Sequence, residues 1–235
     1  MIEPSEERSP TIRVLDLFAG KPPHGWSAAF RNRGHEVITL DIEERFHPDI
    51  LADILTWDPK TLLWKPTVVL ASPPCTAFTV MRIGTNWTTY HTPKTDAARK
   101  GLEILERTMA VIREIDPQYW WLENPVGKMR RMKVLEPERR ATVTYCQYST
   151  MMRSMKPTDL WGRWPDTWEP RPRCSPGDPC HISPPRGSRT ATQGDRPSED
   201  VAEVEYGLSR AVCMAVERAL SGERGPQRTI GELVA

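Results

Sequence analysis

The chain has 235 residues, enough for one large α/β domain or for a domain with a small appendage. Lys plus Arg number 32 against 31 Asp plus Glu, so any footprint for a polyanion must be local. Five scattered cysteines argue against a disulfide framework and for a reducing compartment. The first ten residues lack the apolar core of a signal peptide, and no run approaches the roughly 20 apolar residues of a membrane span. A soluble cytoplasmic protein with no membrane partner is expected, with a monomer favoured.

Residues 1–10 read as a disordered lead-in. The apolar run at 12–18 reads as a first strand ending in Asp16-Leu17-Phe18-Ala19-Gly20. Gly20, the Pro22-Pro23 pair and Gly25 then make a tight loop, residues 26–32 read as a helix, and 37–42 as a second strand with Asp41 at its end. Strand, glycine loop, helix, strand, acid is the layout of a nucleotide-type cofactor site. Glycine lets the backbone approach the ligand, and the acid can bond ribose hydroxyls. The glycines do not fit G-x-G-x-x-G, so a dinucleotide is not favoured, and Asp41 equally suits a solvated strand end. A loop with Asp49 and Asp53 follows.

Residues 67–79 read TVVLASPPCTAFT. Val68-Val69-Leu70 suits a short buried strand, and Ser72-Pro73-Pro74 must turn the chain out of the sheet. Cys75 then sits on a stiff loop at the strand's carboxyl end, where open α/β sheets bind ligands. A thiol there suits a nucleophile, and it also suits a buried loop cysteine. The polar stretch 82–95 reads as mobile and placed like a lid. Residues 96–115 form an amphipathic helix, with Ala98, Leu102, Leu105, Met109 and Ile112 on one face.

A strand at 119–122 ends in Glu123, Asn124 and Pro125, on the same rim as Cys75 and Asp16; Glu123 also suits a cap or a surface acid. Another strand is expected at 142–148. From 156 to about 197, Pro, Trp, Arg and Gly dominate and periodicity disappears, so a loop-rich insert is expected. Residues 205–220 return to helix, with Leu208, Val212, Ala215 and Ala219 on one face and Cys213 near it.

Asp16-Leu17-Phe18-Ala19-Gly20, Pro73-Pro74-Cys75 with Phe78, and Glu123-Asn124-Pro125 stand in the order found in the DNA cytosine-5 methyltransferases. The chain resembles that family, in its small phage-encoded form, over residues 11–160 and 203–220. His47-Pro48-Asp49-Ile50 with Ala52-Asp53-Ile54 resembles the loop around the cofactor adenine. Cys146-Gln147-Tyr148 with Lys156-Pro157-Thr158-Asp159 resembles a shortened later motif. Tyr206-Gly207-Leu208-Ser209 resembles the start of the helix that closes the cofactor pocket.

The resemblance implies an α/β, Rossmann-like S-adenosylmethionine-dependent methyltransferase fold with a short loop-rich recognition insert. The catalytic domain would span 11–160 and 203–221, the insert 161–202 and a flexible tail 222–235. It implies S-adenosylmethionine as cofactor, with Asp16, Phe18, Ala19, Gly20, Trp26, Asp41, Ile42, Asp53, Ile54 and Pro74 around it. It implies DNA as partner and Cys75 as the nucleophile on a flipped cytosine. Glu123 would bond N3 and the amino group, and Asn124 the Cys75 loop or the base. Ser72, Pro73, Thr76, Phe78, Gln147 and Arg153 would face the substrate; in the insert, Arg171, Arg173, Arg186 and Arg189 are candidate DNA contacts that also suit a solvated basic loop. Three features depart from the family pattern. Thr76 stands where Gln is usual, Pro125 where Val is, and Gln-x-Arg-x-Arg is reduced to Gln147, Arg153 and Lys156. So short an insert implies a short or relaxed recognition sequence.

Cys174-x5-Cys180-His181 with Cys146 upstream supplies three thiols and an imidazole, a set that suits a structural zinc or, at this spacing, free thiols. Three other readings compete. An amino-methyltransferase (N4 or N6) also uses a Pro-Pro loop, but it expects an aromatic ring where Cys75 stands and leaves Glu123-Asn124 without a task. An RNA cytosine-5 methyltransferase would share the architecture. Intact Cys75 and Glu123 argue against an inactive methyltransferase-fold nucleic-acid binder.

Overall fold

Val68, Val69, Leu70 and Ala71 are all buried, as a central parallel strand covered on both faces requires. They form β4 (Val68–Ala71) in a computed structural model that describes residues 10–23, 25–149, 155–182 and 203–225. The other strands are β1 (Arg13–Leu17), β2 (Glu36–Asp41), β3 (Ile50–Leu51), β5 (Tyr119–Pro125), β6 (Arg140–Thr144) and β7 (Pro157–Arg163). They make one sheet in the order β3-β2-β1-β4-β5-β7-β6. β1 to β5 are parallel, and β7 runs antiparallel between β5 and β6. The chain moves outward from β1 to β3, then crosses back to place β4 on the other side of β1. That reversal opens a crevice at the carboxyl ends of β1 and β4. The fold is the Rossmann-like α/β arrangement expected.

Among the described residues the α-helices are α1 (Ala28–Asn32), α2 (Ile83–Asn86), α3 (Asp96–Ile115) and α4 (Tyr206–Leu220). α3 has the predicted bounds. Thr95 Oγ1 caps it by accepting from the Ala98 N–H at 3.2 Å, and Asp116 ends it in a left-handed turn. Its face of Ala98, Leu105, Met109 and Ile112 packs with Val69, Ala71 and Leu122 on one side of the sheet. α4 covers the other side, packing Leu208, Val212 and Ala215 with Val14, Val68, Leu70 and Trp121. Cys213 is core, as expected. No helix among the described residues is long and apolar enough to cross a membrane.

The chain departs from expectation in four places. Residues 157–163, read as the start of the insert, are β7, so the boundary expected at 160/161 falls inside a strand. Pro157 opens β7, where its missing N–H does no harm, and the buried Asp159 is held by Arg130 and by Thr142 Oγ1 at 2.7 Å. Trp164 and Trp168 then pack on Trp121, at ring separations of 6.5 and 6.1 Å. β5 continues through Glu123-Asn124-Pro125, because these residues pair with Leu160, Asp159 and Thr158 of β7. The strand expected at 142–148 ends at Thr144 and becomes a 3-10 turn, Tyr145–Gln147. The stretch expected as a loose lid is anchored: Trp87 stacks on Phe78 at 5.4 Å and its Nε1 donates to the Ala77 carbonyl at 2.8 Å. Most of the expected lead-in, the insert beyond 182 and the tail beyond 225 lie outside the described residues.

Candidate active site

β1 ends in a sharp turn, with Phe18 at φ 63° and Gly20 at φ 66°. The N–H groups of Phe18 and Ala19 donate to the Leu40 carbonyl at 2.8 and 3.2 Å, which fastens the turn to β2. Gly20 N–H donates to Asp41 Oδ2 at 3.0 Å, and Glu43 N–H to Asp41 Oδ1 at 2.9 Å. Asp41 therefore holds the glycine turn and the next loop in one frame. A Cβ at Gly20 would meet nothing within 4 Å, so the turn borders open space, and Ile42 beside it is 61% exposed.

Asp16 lies beneath. Its Oδ2 accepts from Ser27 N–H at 3.1 Å and Ser27 Oγ at 2.6 Å, while its buried Oδ1 has no partner among the described residues. Burial pushes this carboxyl up to about 6, against the two Ser27 bonds. An open glycine turn, a bonded acid at the second strand's end and an exposed aliphatic side chain fit a ligand with a ribose and a flat base. S-adenosylmethionine is such a ligand. Asp53 is half-buried and accepts from Leu55 N–H at 2.9 Å. Two expected cofactor contacts are packed away instead. Trp26 is 1% exposed in the α4-side core, and Ile54 is buried on the α3 side.

The β4–β5 rim carries the second group. Ser72 N–H extends the ladder by one bond, to the Leu17 carbonyl at 3.2 Å, and then the two prolines stop it. The Cys75 carbonyl accepts from Phe78 and Thr79 N–H at 2.9 and 3.1 Å, closing a turn with Cys75 half-buried, and Pro74 and Thr76 exposed. Asn124 Nδ2 donates to the buried Pro73 carbonyl at 2.9 Å. Phe78, expected near the substrate, is buried under Trp87. Its carbonyl accepts Lys128 N–H at 2.7 Å, and a Cβ at Gly127 would stand 2.4 Å from that oxygen, so only glycine lets the two turns meet.

Glu123 is buried, and its Oε1 accepts from Tyr145 OH at 2.8 Å. Lys156 Nζ lies 4.0 Å from the same oxygen, 4.3 Å from the Tyr145 ring centre, and donates to the Glu203 carbonyl at 3.3 Å. Burial pushes Glu123 up, with Lys156 and the Tyr145 bond opposing. Burial pulls Lys156 down, with Glu123 and then Cys75 opposing. Burial and then Glu123 push the Cys75 thiol up, with Lys156 opposing. The three groups thus share one electrostatic environment. Burial holds Tyr145 well above the usual phenol range, so it remains a donor. A thiol, a carboxyl able to keep a proton and a buried cation are equipped for nucleophilic addition coupled to proton donation.

Tyr145 and Ser27 had no signal in the sequence, and Lys156 appeared there only as a motif remnant. Gln147 does not turn to this site. Its Nε2 donates to Cys180 Sγ at 3.4 Å, and its carbonyl accepts from Arg171. Arg171 also stacks on Tyr148, and Arg173 is exposed. Arg153, Arg186 and Arg189 lie outside the described residues. A shallow groove of about 350 Å³, lined by Pro59, Leu62, Trp64 and Ile115 among others, sits at the opposite, amino ends of β4 and β5.

No family model matches the chain. It is 34% identical over 173 residues to a probable DNA (cytosine-5)-methyltransferase of Frog virus 3 (isolate Goorha), across 69% of this chain and 78% of that protein. Among solved structures it is similar to a putative DNA modification methyltransferase encoded within an Escherichia coli prophage (TM-score 0.46, 12% identity, 65% of this chain and 46% of that one). It is also similar to a mutant of Spodoptera frugiperda DNMT2 (TM-score 0.43, 17% identity, 68% and 53%). The chain spans about half the length of these two solved structures.

Proposed function

The chain belongs to the DNA (cytosine-5)-methyltransferases, and from that premise we propose that it methylates carbon 5 of a cytosine in DNA through a covalent adduct on Cys75. The loops of Phe18, Gly20, Asp41 and Asp53 would hold S-adenosylmethionine, which would supply the electrophilic methyl group. Carbon 5 is a poor nucleophile until the ring is activated. Cys75 Sγ forms a bond to C6, its thiol proton passing to solvent, and the ring's electron pair moves toward C5. Glu123 in its protonated form gives its proton to N3, and Lys156 balances the carboxylate that remains. After C5 is methylated its proton leaves to solvent base, the S–C6 bond breaks with its electrons returning to sulfur, and the N3 proton returns to Glu123. The base must leave the stack for this to happen.

The observation that carries this reading is the bond from Asn124 to the Pro73 carbonyl, which ties the Cys75 loop to the strand carrying Glu123. The test is covalent trapping on DNA containing 5-fluorocytosine, with S-adenosylmethionine present. Wild type should give a denaturant-stable adduct and Cys75→Ala none. A wild type that methylates but never traps rules out the Cys75 route. Mass spectrometry of nucleosides from the modified DNA or RNA separates 5-methylcytosine from the N4 and N6 products and identifies the polymer.

A further inference from the structure

We propose that Cys146, Cys174, Cys180 and His181 form a closed structural zinc site that fastens residues 169–182 to the turn behind the active site. One ligand atom from each residue lies within 4.8 Å of all the others. Zn–S and Zn–N bonds of about 2.3 and 2.0 Å set tetrahedral edges of roughly 3.5–3.8 Å. Cys180 Sγ is 3.7 Å from Cys146 Sγ, and His181 Nδ1 is 3.7 Å from Cys174 Sγ and 3.4 Å from Cys180 Sγ. Adjacent Cys180 and His181 therefore do turn to one centre. Cys146 Sγ and Cys174 Sγ are 3.1 Å apart, far beyond the roughly 2.05 Å of a disulfide. Three thiolates and an imidazole select zinc over harder cations, and four protein ligands leave no open position for chemistry.

The segment needs such a fastening. From 169 to 182 there is no helix or strand, and the buried residues there are Cys174 and His181, both members of the set. The small cluster that Cys174 joins adds Met155, Cys146 and the half-buried Cys180. With so little apolar burial, metal binding becomes the folding energy of the segment. Neighbouring groups suit an outer shell around thiolates. Gln147 Nε2 donates to Cys180 Sγ at 3.4 Å, and Cys174 N–H donates to Thr144 Oγ1 at 3.2 Å. A second cluster, His35, Cys213 and Glu217, differs because Glu217 is already paired with Arg33 at 2.7 Å and His35 at 2.9 Å. Cys146 directly follows Tyr145, the donor to Glu123, so the metal braces the active-site wall from outside.

The test is metal content of the full chain purified from zinc-supplemented medium. Wild type should carry about one zinc per chain, and its cobalt(II) form should show the visible bands of tetrahedral thiolate coordination. Cys174→Ser and Cys180→Ser should each lose the metal, while Cys213→Ala keeps it. If a serine variant fails to fold, a mercurial reagent on folded wild type should release zinc as Cys146, Cys174 and Cys180 are modified. Folded, zinc-free wild type with reactive thiols at those positions overturns the proposal. A Cys146–Cys174 disulfide found by mass spectrometry, or zinc retained when both Cys174 and Cys180 are serine, does the same. None of these readouts depends on methyl transfer.

Discussion

Asn124 Nδ2 and the Pro73 carbonyl meet at 2.9 Å in a buried bond that crosses from β5 to the Cys75 loop. The Pro73-Pro74 pair has no N–H to continue the β ladder, so this carbonyl depends on a side-chain donor. Asn124→Ala leaves it unpaired, at about 1–3 kcal/mol. Asn124→Asp sets acceptor against acceptor and should be worse. If that energy appears in the positioning of Cys75, trapping on fluorocytosine DNA slows by about tenfold or more in Asn124→Ala, since each 1.36 kcal/mol is about tenfold in rate. An aspartate variant that traps as fast as wild type would show that this bond does not position the thiol.

Cys75 is raised by burial and by Glu123 and lowered by Lys156, which predicts opposite effects from two substitutions. Alkylation of native Cys75 should rise with pH and reach its midpoint above the usual thiol range of about 8.5. Lys156→Met removes the cation that favours the thiolate, so the midpoint moves up and alkylation slows at a fixed pH. Glu123→Gln removes the charge that opposes the thiolate, so the midpoint moves down. Iodoacetamide labelling, followed by mass spectrometry of the Cys75 peptide, reads both. Shifts of the same sign in the two variants would contradict the coupling.

Asp16 makes stability pH-dependent. Its rise from 3.8 to about 6 corresponds to roughly 3 kcal/mol. A carboxyl raised in the folded state contributes stability that is complete below its unfolded value and is lost as pH climbs through about 6. Wild type should therefore weaken between pH 4 and 7 relative to Asp16→Asn, which keeps an acceptor for Ser27 and cannot ionise. Thermal unfolding across that range should show the two curves diverging, and parallel curves would rule the effect out.

What could be read from the chain beforehand follows from how local each signal was. The strand that carries Asp16 and the helix at 96–115 declare themselves through apolar spacing that needs no partner. β7 does not. Pro157, Asp159, Gly162 and Arg163 break any alternation, and the strand exists because Asp159 is met by Arg130, far back in sequence, and because Gly162 lies against the Trp120 carbonyl, where a Cβ would come within 2.1 Å. Cys75, Glu123 and Asn124 were visible because each stands just past or at the end of an apolar run. Lys156 and Tyr145 reach Glu123 only after β7 and the turn following β6 are in place. Trp26 and Phe78 misled in the other direction: large aromatics beside a motif were filling the core.

Ser209 joins α4 to α1, and so ties α4 to the segment that follows the Gly20–Gly25 loop. Its Oγ donates to the Trp26 carbonyl at 2.5 Å and accepts from Ala29 N–H at 3.1 Å, all in a buried setting. Ala29 lies in the first turn of α1, where N–H groups have no intrahelical acceptor, so the hydroxyl fills a vacancy the helix cannot fill itself. Ser209→Ala strands both a donor and an acceptor, at about 1–3 kcal/mol each when buried. At about 2–4 °C per kcal/mol for a domain of this size, a net 2 kcal/mol lowers the melting temperature by about 4–8 °C. Because α1 follows directly from the Gly20–Gly25 loop, S-adenosylmethionine affinity should fall as well, read by titration calorimetry below the melting transition. Ser209→Thr keeps both hydrogen bonds but adds a methyl group where α4 packs on α1. A threonine variant that recovers affinity more than stability would assign the first effect to the hydroxyl and the second to packing. Unchanged melting and binding in the alanine variant would mean that the α1–α4 contact does not depend on this hydroxyl.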